Sequence, residues 1–548
     1  MPPLATIGRY WQTVRWLKPV QLYGRVWFRL FRPRINEKPP PLLREASGPW
    51  CEPAHRAPSL TGPGAFFFLN EPGELASSEW DDPGRDKLWR YNQHYFDDLN
   101  AHGAPSRSDW HADLFADWIV NNPPGEGSGW EPYPTSLRIV NWIKFALSGG
   151  DLSEAYHQSL AVQARWLHKR LEWHLLGNHL FSNAKALIFA GLWFDGLEAS
   201  AWLEIGFRIL AREVPEQIFA DGGQFELSPM YHALAFEDLL DLVNVTRCFG
   251  AALSPEQLLE AKEWATRLAG MQHWLAAMSH PDGAIAFFND AAFGIAPDNT
   301  ELIAYADRLG VAPMQSLQEI TWLSDSGYVR LNQPNAVLIA DMAPVGPDYL
   351  PGHGHADILS FELSLFGERL IVNSGTSIYG VGAERQRQRG TPAHSTVTIE
   401  GQNSSDVWSG FRVGHRANLI KPNVSRDGNI LVAQATHDGY HKLPGHPHHR
   451  RRWQLSPGSL KIEDTLTAPT LPAEARFHIH PSVSVTKTTA SSGTLTLTCD
   501  RAITWHTEGD DARIEASTWH PEFGKSEAST CIVVPLKDGY SNLDLRWS

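Results

Sequence analysis

The chain has 548 residues, of which 42% are hydrophobic and 20% charged, with a formal net charge of −14. That balance excludes a disordered chain and a single small core, because chains of this length divide into domains. The acidic surplus excludes nucleic acid as the main partner, yet leaves room for a locally basic cleft that binds an anionic polymer.

In chain order, residues 9–34 (RYWQTVRWLKPVQLYGRVWFRLFRPR) come first and are basic and aromatic. This composition suits peripheral contact with a membrane surface or packing on the protein's own body. Pro19 and Gly24 are expected to break any long helix there. The stretch lacks the unbroken apolar core of a classical secretory signal, and no run of about 18 apolar residues follows, so a cytoplasmic or envelope-associated protein is expected. Residues 39–86 are rich in Pro, Gly and Glu and read as an irregular extension. From 87 to 320 apolar residues recur with helical spacing, most clearly over 159–173 and 258–278. From 321 the period falls to two, as in TVTIE (396–400), LKIE (460–463) and TLTLT (494–498). Helices followed by strands predict two domains in series, a helical one over 87–320 and an antiparallel β-sandwich over 321–548, after an N-terminal arm and extension over 1–86. The 22 tryptophans suit a cleft that stacks sugar rings, although most must serve as core. Cys51, Cys248, Cys499 and Cys531 lack C-x-x-C spacing, which argues against a zinc ribbon or disulfide framework.

Four segments concentrate polar chemistry. In GNHLFSN (177–183), Asn178 sits at a helix start, where capping is its ordinary role, and His179 and Asn183 share one helical face. In DGGQFELSPMYH (221–232), Pro229 suits a first helical turn and places Tyr231 on it; a buried tyrosine is more often a core residue with one hydrogen bond. In PGHGHAD (351–357), extended backbone turns the imidazoles of His353 and His355 to the same side, which suits one metal, or one metal and one reacting group. The run RQRQRGTPAH (385–394) supplies Arg385, Arg387, Arg389 and His394; guanidinium groups bind carboxylate and sulfate bidentately, though a solvated basic loop has the same composition.

Together these segments resemble the heparinase II/III-like polysaccharide lyases. The resemblance extends through LWRYNQHYF (88–96), WEPYPTSLRIVNW (130–142), GNHLFSNAKALIFAGLWF, DGGQFELSPMYH, FFNDAAFG (287–294), HGHADILSFEL, AHSTVTIEGQ and FRVGHR (411–416). It implies an N-terminal (α/α) toroid followed by a C-terminal antiparallel β-sandwich, with the sugar bound between them. It implies catalytic roles for Asn178, His179, Tyr231 and His353. Glu226, Arg385, Arg389, His94 and Tyr133, in or beside the matched segments, are expected to contact substrate. His355 and His394 fall on metal ligands, with Asn373 where metal-binding relatives carry an aspartate. A neutral amide is the weaker ligand, which puts a bound zinc in question and leaves Asp357 as a substitute.

The implied activity is β-elimination on a uronic-acid polymer, which removes the C5 proton beside a carboxylate and expels the C4 oxygen. Asn178 and His179 would neutralise the carboxylate. If base and acid act from one side of the ring, Tyr231 serves as both; from opposite sides, His353 or His179 is the base and Tyr231 the acid. Two other readings compete. A toroid glycoside hydrolase would use two carboxylates from among Glu226, Glu237, Asp238 and Asp290. A non-catalytic polysaccharide-binding or exopolysaccharide assembly protein would keep the fold without turnover.

Overall fold

Helical periodicity through the first half of the chain yields neighbouring helix pairs. The computed structural model describes residues 4–75, 80–313, 316–509 and 511–548, and its long helices include Ser108–Asn121, Pro132–Leu147, Glu154–Lys169, Gly177–Trp193, Leu197–Gln217, Pro229–Cys248 and Pro255–Ala277. They form the expected helical toroid. Two glycines set the closest approach, between Gly177–Trp193 and Leu197–Gln217. A Cβ on Gly191 would lie 2.7 Å from the Leu203 nitrogen, and one on Gly206 would lie 2.9 Å from the Ala184 carbonyl oxygen. Trp118, Trp142, Trp202 and Trp264 are fully buried, so these indoles serve as core rather than as sugar platforms.

The second half forms two antiparallel sheets. A nine-stranded sheet begins at Ile320–Leu323 and includes Ala336–Asp341, Phe361–Leu365, Glu368–Ile371 and Ala473–Ile479; an eight-stranded sheet begins at Leu419–Asp427. Alternating side chains from both, among them Leu338, Phe361, Trp453, Ile462 and Phe477, fill one shared core. The strand His449–Ser456 carries the consecutive arginines Arg450, Arg451 and Arg452, and buried Arg451 pairs bidentately with buried Asp464.

A second core joins the two halves. Trp519, Val372 and Phe523 of the sandwich pack with Phe287 and Phe293 of the helical half, and Trp519 stacks on Phe287 at 5.8 Å. This contact fixes the helix ends against the sheet loops that face them.

Two expectations are corrected. The segment 39–86 is not wholly irregular: Leu60–Gly62, Ala65–Phe68 and Glu71–Glu74 form a three-stranded antiparallel sheet whose Phe66 and Phe68 are buried against Trp80 and Trp89. Gly24 does not break its helix. Pro19 opens the helix Pro19–Leu30, and Gly24 sits inside it because a Cβ there would crowd the His174 side chain at 3.0 Å.

Candidate active site

A cleft of about 1220 Å³ runs between the helical half and the sandwich loops. Asn178, His179, Glu226, Tyr231, Tyr133 and His353 line it together. Two helix starts deliver three of these residues, Asn178 and His179 on one and Tyr231 on the other, and each is preceded by a leucine with positive φ, Leu176 (63°) and Leu227 (60°). Such conformations cost about 1–3 kcal/mol each and persist where the surrounding structure enforces them.

Asn178 and His179 lie in the first turn of Gly177–Trp193, which Leu176 precedes without any side-chain cap. Capping is therefore not the role of Asn178, whose amide has no hydrogen bond among the described residues. The His179 Nδ1 lies 3.3 Å from Glu172 Oε2. Burial alone would lower the pKa of His179, but the Glu172 carboxylate outweighs it and the net shift is upward, toward the charged form. Glu172 is itself fixed by Asn183, whose amide bonds both its backbone nitrogen (2.9 Å) and its carboxylate (3.1 Å).

Tyr231 sits on the first turn of Pro229–Cys248, with Ser228 as N-cap accepting from the Tyr231 nitrogen at 3.2 Å. Its hydroxyl is 3.0 Å from that of Tyr379, and its ring lies 4.0 Å from the His353 imidazole, centroid to centroid. Burial raises its pKa well above the usual tyrosine value, and the nearby Tyr379 and Asp290 raise it further.

His353 and His355 do turn to the same side, as the H-x-H spacing predicts, but what they meet is the carboxylate of Asp290. His353 Nδ1 bonds Asp290 Oδ2 and His355 Nε2 bonds Oδ1, each at 2.8 Å. Arg385 donates to both oxygens of the same carboxylate, and Thr376 donates to one of them at 3.3 Å. Burial would raise the Asp290 pKa, but the Arg385 charge and the hydrogen bonds from His353, His355 and Arg385 hold it well below the usual range. An ionised carboxylate only accepts, so in its neutral form His353 carries its proton on Nδ1 and leaves Nε2 bare. The nearest carboxylate oxygen to that bare nitrogen is Glu226 Oε2 at 3.6 Å, itself without a hydrogen-bond partner among the described residues. Burial raises the Glu226 pKa despite the neighbouring His353.

Proton positions also govern the expected metal site. His394 Nδ1 donates to the Gly390 carbonyl at 2.9 Å, and His355 Nε2 donates to Asp290. The remaining nitrogens, His355 Nδ1 and His394 Nε2, face each other at 3.0 Å with their lone pairs, an arrangement that needs a positive occupant between them. Asp357 completes a buried group of three whose donor atoms lie within 4.8 Å of one another. Two imidazoles and a carboxylate suit a divalent ion such as zinc. Asn373 is committed elsewhere: its amide nitrogen bonds the Phe287 carbonyl at 2.9 Å and its oxygen accepts from the Ser395 nitrogen at 3.0 Å.

Three expected substrate contacts are not in the cleft lining. Arg385 is buried on Asp290. Arg389 is buried too, with its guanidinium on the carbonyls of Gly354 and Gly410, and burial lowers its pKa to about 9. His94 is fully buried in the helical core, stacked on Trp80 and accepting from the Trp118 indole at 3.1 Å; burial lowers its pKa to about 3. Glu226 and Tyr133 do line the cleft, and the Tyr133 ring lies 4.6 Å from His179. Tyr379, Glu172 and the pairing role of Asp290 were not anticipated. Asp290 lies in the FFNDAAFG segment, but Tyr379 lies in a loop without periodic signal.

Residues 101–305 match the heparinase II/III N-terminus family model, and 316–548 match the heparinase II/III-like C-terminal model. A heparin-sulfate lyase of Bacteroides stercoris is 28% identical over 297 residues, covering 50% of this chain and 41% of that protein. One from Pedobacter heparinus is 27% identical over 333 residues, covering 53% of this chain and 47% of that protein. The chain thus spans less than half the length of these curated relatives. Among solved structures, heparinase III superposes with a TM-score of 0.64 at 17% identity over 96% of this chain and 85% of that one. The Pedobacter heparinus heparan sulfate lyase HepC superposes at 0.58, with 18% identity, over 96% and 88%. These likenesses show a shared toroid-and-sandwich fold.

Replacing Asp290 with alanine leaves the Arg385 guanidinium buried without its carboxylate, a change expected to cost about 3–5 kcal/mol. The thermal midpoint of Asp290→Ala should fall well below wild type, and Asp290→Asn, which keeps an acceptor oxygen, should fall less. Equal midpoints for all three proteins would contradict the pairing role.

Proposed function

Because the chain belongs to the heparinase II/III-like family, we propose that it is a polysaccharide lyase that cleaves a uronic-acid-containing anionic polysaccharide by β-elimination and leaves an unsaturated uronate end. One observation carries this reading. An unpartnered Asn178 amide, a His179 biased toward its cation, a Tyr231 hydroxyl held protonated and a His353 with bare Nε2 line the same cleft.

Each group has a task in the elimination. Asn178 and His179 bind the uronate carboxylate and offset the charge that builds on it as the C5 proton leaves. His353 Nε2 takes that proton, because Nδ1 is pinned to Asp290. The electron pair of the C5–H bond forms the C4=C5 double bond, and the C4–O bond breaks. Tyr231 gives its proton to the departing oxygen; a phenol with a raised pKa is protonated at neutral pH and suits the acid role better than the base role. Tyr379, in hydrogen-bond contact with the Tyr231 hydroxyl, helps to keep the proton on Tyr231 until the departing oxygen takes it. Asp290 and Glu226 face the imidazolium that His353 becomes.

The residues also fit one divalent ion, held by His355, Asp357 and His394. When bound, zinc would supply a fixed cross-link between the loop carrying His353 and the segment carrying His394.

The hydrolase reading fits less well, since it needs two available carboxylates across the bond. Glu237 pairs with Arg56 and Lys144, Asp238 with Lys185 and Asp290 with Arg385, which leaves Glu226 alone. Glu237 is also buried. Among the described residues no helix is long and apolar enough to cross a membrane.

Incubation with a panel of uronate polysaccharides should raise the ultraviolet absorbance of the conjugated uronate product. Tyr231→Phe and His353→Ala should each lower that rate by about a hundredfold or more. Reducing ends that accumulate without absorbance would instead indicate hydrolysis, and oligosaccharide binding without either signal would indicate a non-catalytic binder. Separately, zinc should raise the thermal midpoint of the wild-type protein and leave that of His394→Ala unchanged. A midpoint indifferent to zinc in both proteins would contradict the metal site.

A further inference from the structure

We propose that the outward face of the N-terminal helical arm docks on an anionic lipid bilayer. This inference is independent of the chemistry assigned to the cleft.

The arm consists of the helices Leu4–Val14 and Pro19–Leu30, and a small set of contacts among the described residues ties it to the body. Arg9 pairs with Asp406 at 2.9 Å, the Gln21 amide donates to the Tyr349 carbonyl at 3.1 Å, and the Trp408 indole donates to Thr13 at 3.2 Å. Gly24 lies against His174. Tyr10, Val14 and Gln21 on this inner side line the cleft.

The outward side carries Trp11, Leu22, Tyr23, Val26, Trp27 and Leu30. Trp11 is 65% exposed, Trp27 63% and Leu30 79%. Leu22, Val26 and Leu30 are spaced by four, as are Tyr23 and Trp27, so they form one stripe along the second helix. A contiguous apolar stripe of this kind on a protein surface marks an interaction site.

Charge selects the occupant. Residues 1–36 contain seven arginines and lysines and no aspartate or glutamate, in a chain whose net charge is −14. The guanidinium groups of Arg29, Arg32 and Arg34 form no hydrogen bond or ion pair among the described residues, and all three residues are exposed. A second copy of the chain on a two-fold contact would set these cations against each other. An anionic polysaccharide would satisfy the arginines but leave the indoles and leucines in water. An anionic bilayer satisfies both, with guanidinium groups at the headgroups and Trp, Tyr and Leu at the acyl boundary. Since the inner side of the arm lines the cleft, docking holds the cleft beside the bilayer.

The full chain should be sedimented with vesicles of phosphatidylcholine alone and with vesicles that also contain phosphatidylglycerol. It should sediment with the mixed vesicles, and less so at high salt. The triple variant Trp11→Ser, Trp27→Ser, Leu30→Ser should stay in solution, and Arg29→Ala should bind about fivefold more weakly. These side chains are exposed, so an unchanged thermal midpoint will confirm that the variants fold. Absence of sedimentation with either vesicle, equal sedimentation with both, or retained binding by the triple variant would overturn the proposal. So would a dimer in light scattering that the triple variant disperses while vesicles bind neither protein, which would assign the stripe to a second copy.

Discussion

The buried carboxylate of Asp290 is the constraint on which the rest of the site depends. It is fully enclosed, and it takes hydrogen bonds from Arg385, His353, His355 and Thr376. Its segment belongs to the helical half, whereas all four donors belong to the sandwich half. A single ionised group therefore sets the tautomer of His353, the orientation of His355 and the placement of the helix that carries Arg385. Because it is sealed from water, these interactions are stronger than the same contacts would be on a surface. Phe287 and Phe293, which flank Asp290 in the sequence, pack on Trp519 of the sandwich half.

Two carboxylates act on two histidines in opposite senses. Glu172 lies beside His179 and biases it toward the charged form, which suits a group that must meet a uronate carboxylate. Asp290 bonds His353 through Nδ1 and leaves a lone pair aimed at the cleft, which suits a group that must accept a proton. Tyr231, between them in role, stays protonated because it is buried and because Tyr379 and Asp290 both disfavour the phenolate. Acid, base and charge neutraliser thus differ by environment rather than by residue type alone.

The order of helices and strands was legible because each period is local: 3.6 residues in one half and two in the other. The place of Tyr231 on a first helical turn was legible too, because Pro229 marks the helix start that presents it. The spacing of His353 and His355 correctly placed both rings on one side, but their shared partner lies more than sixty residues earlier, and no local pattern reports a contact of that range. Arg385 and Arg389 were read as substrate ligands. They sit four apart on one face of the helix Ala383–Arg389, and that face turns inward, onto Asp290 and onto the carbonyls of Gly354 and Gly410. Arg387, two residues from each, is exposed. His94 was misplaced for a similar reason, because its helix buries the imidazole against Trp80 and Trp118. Tyr379 had no signal, since loops carry no periodicity. The irregular reading of residues 39–86 failed because a sheet of three- and four-residue strands is too short to show alternation.

The central claim is that Asp290 fixes the His353 proton on Nδ1 and leaves Nε2 free to accept one. Nitrogen-15 NMR of the histidine-labelled protein, with His353 assigned by comparison with His353→Ala, reads this directly. The account predicts a protonated Nδ1 and a bare Nε2 at a pH where the ring is neutral. A His353 protonated on Nε2 under those conditions would contradict it.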